Sequence, residues 1–311
     1  MIHLIIKRLA YGLITIWFIA SATFFAMHNV PGNPLADEKS VSPEIRKNLE
    51  KKYGLDKPLA EQYAIYLLNM LQGDFGISFT QKNRSVNDII KEHFPVSALL
   101  GLFAIMFASI GGVIFGALSA HYKNRWPDYV LIGFVVITIS VPSFVFAALL
   151  QLALVKINEV FGIKILPIAG WGSVWHLLAP SFVLGLGTLA YITRLMRSSL
   201  LEIENSTYIR TARAKGLSEA QIFFKHRLRN AVLPVVTVLG PAIAAITTGG
   251  FVVESIFAIP GLGKYFVEAV HQLDYTLIMG TTVFYGTYLV LMVLAVDIVY
   301  GVVDPRIRVE K

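Results

Sequence analysis

Cysteine is absent from all 311 positions, which excludes disulfides, thiol chemistry and Cys-ligated metal. Charge is scarce as well: Asp, Glu, Lys and Arg make up 15% of the chain against 55% apolar residues, a balance foreign to an ordinary soluble domain and suited to a polytopic membrane protein. The histidines His3, His28, His93, His121, His176, His226 and His271 are scattered, with no pair at metal-ligand spacing, so no metal site is expected. A phosphate loop is missing too. Gly263-Lys264 has the look of its end, but Ala258 stands where the first Gly is required and Tyr265 where a Ser or Thr is. No catalytic residues are therefore expected, and no cofactor bound by this chain. Internal repeats and low-complexity linkers are also lacking.

What the chain has is long apolar runs. Crossing a bilayer takes about 20 apolar residues. Six stretches qualify, roughly Leu9 to Val30, Val96 to Ala120, Tyr129 to Val155, Trp175 to Leu195, Val232 to Ala258 and Leu277 to Val303. An even number places both termini on one side, and Lys and Arg decide which. Two precede the first run, two lie in 121–128, eight in 194–230 and three in the tail, against two in 156–175 and one in 259–276. The basic side, with both termini, is expected to face the cytoplasm. The net charge of +7 is then topological and no sign of nucleic-acid binding. His3, Lys7 and Arg8 ahead of Ala20-Ser21-Ala22 also fit a signal peptide, but the apolar run continues through Phe24, Phe25 and Met27, beyond the about 7–15 residues of such a segment. A retained first span is the preferred reading. The chain thus divides into a cytoplasmic tip and first span (1–30), an extracytoplasmic helical insertion (31–95), and a five-helix core (96–311) that contains a cytoplasmic loop at 196–231.

In the insertion, Ser42-Pro43-Glu44 with a stop at Gly54 reads as a short capped helix. A second helix is predicted from Pro58 to Gln72, with Leu59, Tyr63, Tyr66, Leu67, Met70 and Leu71 on one stripe and Gly73 at its end. Ser85 with Asp88 opens a third turn that should stop before Pro95. A segment this small is a lid, or a contact for a separate binding protein, rather than a substrate-binding domain.

Two acids, Glu254 and Asp297, fall inside predicted spans, where an ionisable residue is a functional candidate by default. On a continuous helix the 20 residues from Pro234 to Glu254, and from Leu277 to Asp297, each cover about 30 Å, so one acid would lie near each surface and neither at the midplane. Glu254 is expected to bond the backbone of the 259–263 turn or pair with Lys264, with an outer-gate role alongside Pro260, Gly261 and Gly263 as the functional alternative. Asp297 is expected to pair with Arg306, Arg308 or Arg194. Pro142, between Ser140 and Ser143, should kink the third span, and such a kink either lines a pathway or serves packing. Gly112 and Gly116, spaced as GxxxG, carry the same two readings. Gln151 is a further pathway candidate.

The segment 206–234, STYIRTARAKGLSEAQIFFKHRLRNAVLP, is basic, helical by pattern and set between two spans. Ser206 or Thr207 can cap a short helix running to Lys215, Gly216 supplies a left-handed stop, and Ser218 with Gln221 forms a capping box that opens a second helix. Tyr208, Ile209 and Ala212 share a face expected to lie against something in the cytosol, and small Ala212 and Ala214 would permit close approach. Such a loop grips a partner protein, or rests on anionic headgroups through Arg210, Arg213, Lys215, Lys225, Arg227 and Arg229.

This segment resembles the signature loop of binding-protein-dependent ABC import permeases, whose general form is Glu-Ala-Ala, three residues, Gly, nine residues, then Ile-x-Leu-Pro. Ala212, Gly216 and Leu228 match; Arg210 and Thr211 replace Glu-Ala, His226 replaces Ile and Arg229 replaces Pro. The departures are those of the peptide-importer branch, with YIRTARAKGL, His226, LRNA and Pro234. GDFGISF at 73–79, ISVPSF at 139–144, VESIFAIPGLG at 253–263 and DPRIR at 304–308 extend the resemblance along most of the chain. It implies an all-α polytopic membrane protein with six transmembrane helices in the type I ABC importer permease fold, in a bacterial cytoplasmic membrane. It also implies the partners: a second permease subunit, two ATP-binding subunits that hold ATP and Mg, and an extracytoplasmic peptide-binding protein. Coupling to the ATPase would rest on Tyr208, Ile209, Arg210, Ala212, Arg213, Ala214, Gly216 and Leu217. Nickel or another small solute is the runner-up cargo. A proton-coupled secondary transporter is the rival from another class, and it would need midplane ionisable groups and inverted repeats that this sequence does not show.

Overall fold

The computed structural model describes residues 2–30, 54–81, 84–162, 165–248 and 250–303; the helix expected at Ser42 and the DPRIR segment lie outside the described residues. Those residues are almost wholly helical: α1 (Ile2–Asn29), α2 (Leu59–Leu71), α3 (Val86–His121), α4 (Trp126–Ser140), α5 (Ser143–Phe161), α6 (Trp175–Glu204), α7 (Thr207–Ala214), α8 (Glu219–Ile222), a π-helical stretch at Phe223–Leu228, α9 (Arg229–Ala231), α10 (Leu233–Thr247), α11 (Phe251–Ile256), α12 (Leu262–Gln272) and α13 (Tyr275–Val303). The one extended pairing among them is an isolated bridge between Ile77 and Ser85. Segments of α1, α3, α5, α6 and α13 are each long and apolar enough to cross a bilayer, and a sixth crossing needs Glu219–Ala231 and Leu233–Thr247 taken together across a 43° bend. Large apolar side chains cover their outer faces, among them Leu13 at 68%, Ile110 at 57% and Leu149 at 57% exposed, as lipid rather than water requires.

One compact unit comprises Ile2–Pro95 and Gly261–Val290. In it α2 lies on α1 through aromatic rings, with Tyr66 stacked on Phe24 at 5.5 Å, Tyr63 tilted on Phe24 at 5.3 Å, and Ser21 Oγ hydrogen-bonded to Tyr63 Oη at 2.7 Å. Leu59 and Leu71, expected on the same stripe, are exposed instead, because the packed face is the narrower one of Tyr63, Tyr66, Leu67 and Met70. Gly73, at φ +74°, ends α2 as expected. The following 74–81 loop is held by the buried Asp274 carboxylate, which accepts from Ser78 Oγ at 2.5 Å, Thr80 N at 3.1 Å and Thr80 Oγ at 2.9 Å while also capping Leu277 N at 3.0 Å. Ser85 Oγ accepts from Asp88 N at 3.0 Å, so the predicted cap forms. The helix it opens does not stop before Pro95. It runs on to His121 with the proline inside, as membrane helices allow when neighbours re-satisfy the freed carbonyl.

The other unit comprises Val96–Pro260 and Leu291–Lys311. Its centre is α6, whose buried residues include Leu186, Leu189, Ile192, Met196 and Leu200. The α3 helix approaches it at backbone distance: a Cβ at Gly112 would sit 2.7 Å from Ile192 Cβ, and one at Gly116 would sit 2.6 Å from Met196 Cβ and 2.7 Å from Thr193 O. The GxxxG pair is therefore a packing device. Two expected spans are interrupted. At Val141 (ψ 126°) and Pro142 (ψ 143°) the backbone is extended, so α4 and α5 are separate helices rather than one kinked span, because the residue before a proline is pushed out of the helical region. Likewise the helix from Pro234 stops at Thr247 and a new one starts at Phe251, which removes the continuous-helix premise behind the depth assigned to Glu254.

Gly116→Leu should lower the melting temperature of the detergent-solubilised protein, since overpacking this seam costs about 1–3 kcal/mol. Gly133→Ala, on α4 with nothing within 4 Å of the added Cβ, should leave it unchanged or raise it.

Candidate functional site

Between α6 and α10 the chain folds into a small helical knob. α7 starts at Ser206, whose backbone is extended (φ −70°, ψ 149°) but whose hydroxyl donates back to Ile203 O at 2.7 Å instead of capping α7. The helix closes on Gly216 at φ +75°, where Gly216 N donates to Arg213 O at 2.9 Å and Leu217 N to Ala212 O at 3.3 Å, the paired bonds of a Schellman stop. The capping box at Ser218 is complete: Gln221 N donates to Ser218 Oγ at 3.3 Å and Ser218 N to Gln221 Oε1 at 3.1 Å. α8 then widens into the π-helical stretch Phe223–Leu228, a form that gathers at functional sites.

Ile209 and Ala212 do not face outward. Both are buried, packed with Ile222 and flanked by Ile203 and Leu217. The reason is amphipathicity on a short helix: once α8 folds back, the apolar face of α7 finds its cover within the chain. The outward residues are Tyr208, Arg210, Thr211, Arg213, Ala214 and Lys215. Tyr208, 41% exposed, is steadied where its Oη accepts from Asn230 Nδ2 at 3.2 Å.

Charge ties the knob to the end of α6. Glu204 accepts from Arg213 at 2.6 Å and pairs with Arg227 at 2.7 Å, while Arg213 Nε reaches Glu219 at 2.8 Å. Hydrogen bonds to Glu219 and Glu204 hold the Arg213 guanidinium above its ordinary pKa. Arg213 thus spends its donors within the chain, and the cations left pointing outward on α7 and its cap are Arg210 and Lys215. This Glu204 network went unread in the sequence; an acid at the last position of a long helix, ahead of a basic loop, was the available signal.

Glu254 is fully buried; its carboxylate accepts from Ser97 Oγ at 2.7 Å, and its main-chain carbonyl takes the Ile259 N–H at 2.8 Å. That bond closes α11 through Ala258, which adopts φ +52°. Pro260 follows directly, Gly261 precedes α12 in extended backbone and Gly263 is buried in its first turn, where Lys264 pairs with Glu268 at 3.6 Å. Gln151 Nε2 donates to Ile168 O at 3.0 Å and Ile256 O at 2.8 Å, so it clamps two backbone segments. Ser140, Pro142 and Ser143 are exposed at the α4–α5 break. The Asp297 side chain lies outside the described residues. A pair the sequence reading overlooked is Asp128 with Arg197: the 1%-exposed carboxylate takes Arg197 Nε at 2.9 Å and Nη2 at 2.8 Å, and also Ser119 Oγ and Asn124 N. A lone acid in the first turn of an apolar helix was its signature.

A family model described as "Binding-protein-dependent transport system inner membrane component" matches residues 112–309, and its N-terminal companion matches residues 1–101. The chain belongs to that family. This permease is 45% identical to the dipeptide transport system permease protein DppB of Bacillus subtilis (strain 168), over 100% of this chain and 99% of that protein. It is 44% identical to the oligopeptide transport system permease protein OppB of Haemophilus influenzae, over 99% and 100% respectively. Two solved structures share the fold: the inward-facing MetNI methionine ABC transporter (TM-score 0.52, 18% identity, 70% of this chain and 96% of that chain) and an amino acid ABC transporter with histidines (TM-score 0.51, 15% identity, 71% and 94%). The permease is thus an all-α, multi-pass membrane protein of the ABC-transporter permease fold.

Gly216→Val should loosen the knob, since a β-branched residue at positive φ costs about 1–2 kcal/mol or more, whereas Gly216→Asn should be tolerated. Amide hydrogen exchange over 206–231 distinguishes them: faster exchange is expected for the valine variant alone.

Proposed function

We propose that this chain is a permease subunit of an ATP-driven peptide importer, in which the α7–α8 knob receives force from a separate ATPase. The observation that carries this reading is the knob itself: a rigid, internally packed projection with an outward surface of Tyr208, Arg210, Thr211, Ala214 and Lys215, joined through Glu204 and Ile203 to the most buried helix of its unit. A motor pushing on such a body moves α6 with it, because the knob has few internal degrees of freedom in which to absorb the displacement. Small Ala214 lets a partner surface approach the α7 backbone; Gly216 and Leu217 close the knob, and Ile209, Ala212 and Arg213 hold it together.

The basic side of the molecule, with both termini and the knob, is assigned to the cytoplasm. The chemistry of ATP and Mg belongs to the partner subunits, and a second permease and an extracytoplasmic binding protein complete the importer. Peptide as cargo is supported by the near-full-length similarity to DppB and OppB proteins. Glu254 with Ser97, and the 258–263 turn, are assigned to the outer gate.

The test uses two alanines that differ in direction. Ala214→Trp, on the exposed face, should leave the subunit folded but cut ATPase co-purification and peptide uptake at least about tenfold, the effect of losing roughly 1.4 kcal/mol at an interface. Ala212→Asp should instead disrupt the knob, seen as faster hydrogen exchange over 206–231. Normal co-purification and uptake with both Ala214→Trp and Arg210→Glu would sink the docking assignment.

A further inference from the structure

A cavity of about 350 Å³ opens among α3, α4 and α6. Its α4 wall is mainly apolar, formed by Ile132, Val136 and Ile139, all substantially exposed, with Ser140 at one end, while Ser119 faces it from α3 and Thr193, Arg194 and Arg197 from α6. The two arginines differ. Arg197 is neutralised by the bidentate pair with Asp128, whose other ligand from the cavity wall is the Ser119 hydroxyl. Arg194, one turn earlier on the same helix, is exposed and has no hydrogen-bond or ion-pair partner among the described residues. Among the described residues, the cavity therefore carries one positive charge without a partner, beside an apolar wall about two turns long.

The level of the site in the bilayer is marked by its neighbours. Trp126 and Tyr129 flank Asp128 and are 77% and 64% exposed, as aromatic residues at a membrane interface are. Lys123 and Arg125 precede them, and Arg194 lies ten residues, or about 15 Å of helix, before the end of α6 that bears the knob. We propose that this cavity binds an anionic phospholipid, with its phosphate on Arg194 and one acyl chain along Ile132, Val136 and Ile139. A basic notch between spanning helices on the cytoplasmic side is where anionic headgroups are held. A peptide carboxylate would satisfy the guanidinium equally well, but it does not explain an apolar wall edged by interfacial aromatics. The assignment to the cytoplasmic leaflet rests on the orientation given under Proposed function; the lipid chemistry does not.

The full chain purified in detergent, incubated with equal amounts of phosphatidylglycerol and phosphatidylcholine of the same acyl chains, is read by native mass spectrometry. One retained phosphatidylglycerol per chain is expected, with the preference reduced about fivefold by Arg194→Gln, largely kept by Arg194→Lys and unaffected by Arg229→Gln in the knob region. Circular dichroism and melting temperature should not change with Arg194→Gln, so loss of binding is not loss of fold. Equal retention by wild type and Arg194→Gln overturns the proposal. So does displacement of the lipid by millimolar acetylated dipeptide, which would make the cavity a cargo subsite, or by inorganic phosphate at the same concentration, which would leave a bare anion site. None of these readouts involves an ATPase, so failure here and failure of the coupling assignment are separable.

Discussion

Burial of Ile209 and Ala212 against Ile203, Leu217 and Ile222 is the contact on which the shape of the α7–α8 knob depends. A short basic helix has little stability of its own in water, since helices under about 12–15 residues are marginal without packing. By turning its apolar face inward, α7 becomes part of a body that includes α8 and the end of α6. Two backbone devices then fix its shape, the left-handed Gly216 and the Ser218 capping box, and neither depends on a partner being present.

Electrostatics reinforce that body without supplying most of its rigidity. Arg213 and Glu219 are exposed, a setting in which an ion pair contributes little by itself, whereas Glu204 is half-buried and Arg227 largely buried. Their value is geometric: Glu204 joins α7 and the π-helical stretch to one point on α6. Asp128 and Arg197 do a related task within the helical bundle, where a bidentate pair with its carboxylate almost fully enclosed fixes α4 against α6. Removing one partner there would strand a buried charge.

The seam between α3 and α6 is organised by close backbone approach. Gly112 and Gly116 admit Ile192 and Met196 of α6 at distances no side chain would permit, which suits a medium where apolar packing between helices is not driven by water. Breaks in the helices have a parallel logic. The helical ladder is interrupted at Val141-Pro142 and again after α11, where Gln151 spends its amide hydrogens on the Ile256 carbonyl and on that of Ile168 in the loop before α6. Irregular backbone is tolerated at depth only with such partners.

Local chemistry was legible in the residues alone. Apolar run length gave the helical membrane class, the Gly and Ser positions gave the stops and caps at 73, 85, 216 and 218, and the pattern from 206 to 234 marked the knob. Each is set by neighbours within a few positions, and short-range backbone geometry travels with the sequence. What the tertiary structure decided was direction and partnership. Periodicity put Ile209 and Ala212 on one face of α7 but could not say that α8 would cover it. GxxxG spacing left packing and pathway open until α6 lay so close that an added Cβ at Gly112 would meet Ile192 at 2.7 Å, and Pro142 read as a kink until the extended Val141 made it a break. Glu254 with Ser97, 157 positions apart, and Arg197 with Asp128, 69 apart, are pairings that no local pattern specifies, even where the lone acid itself stands out. Such pairs exist only once separate helices are brought side by side, because a side-chain hydrogen bond is made across space and leaves no period in the chain.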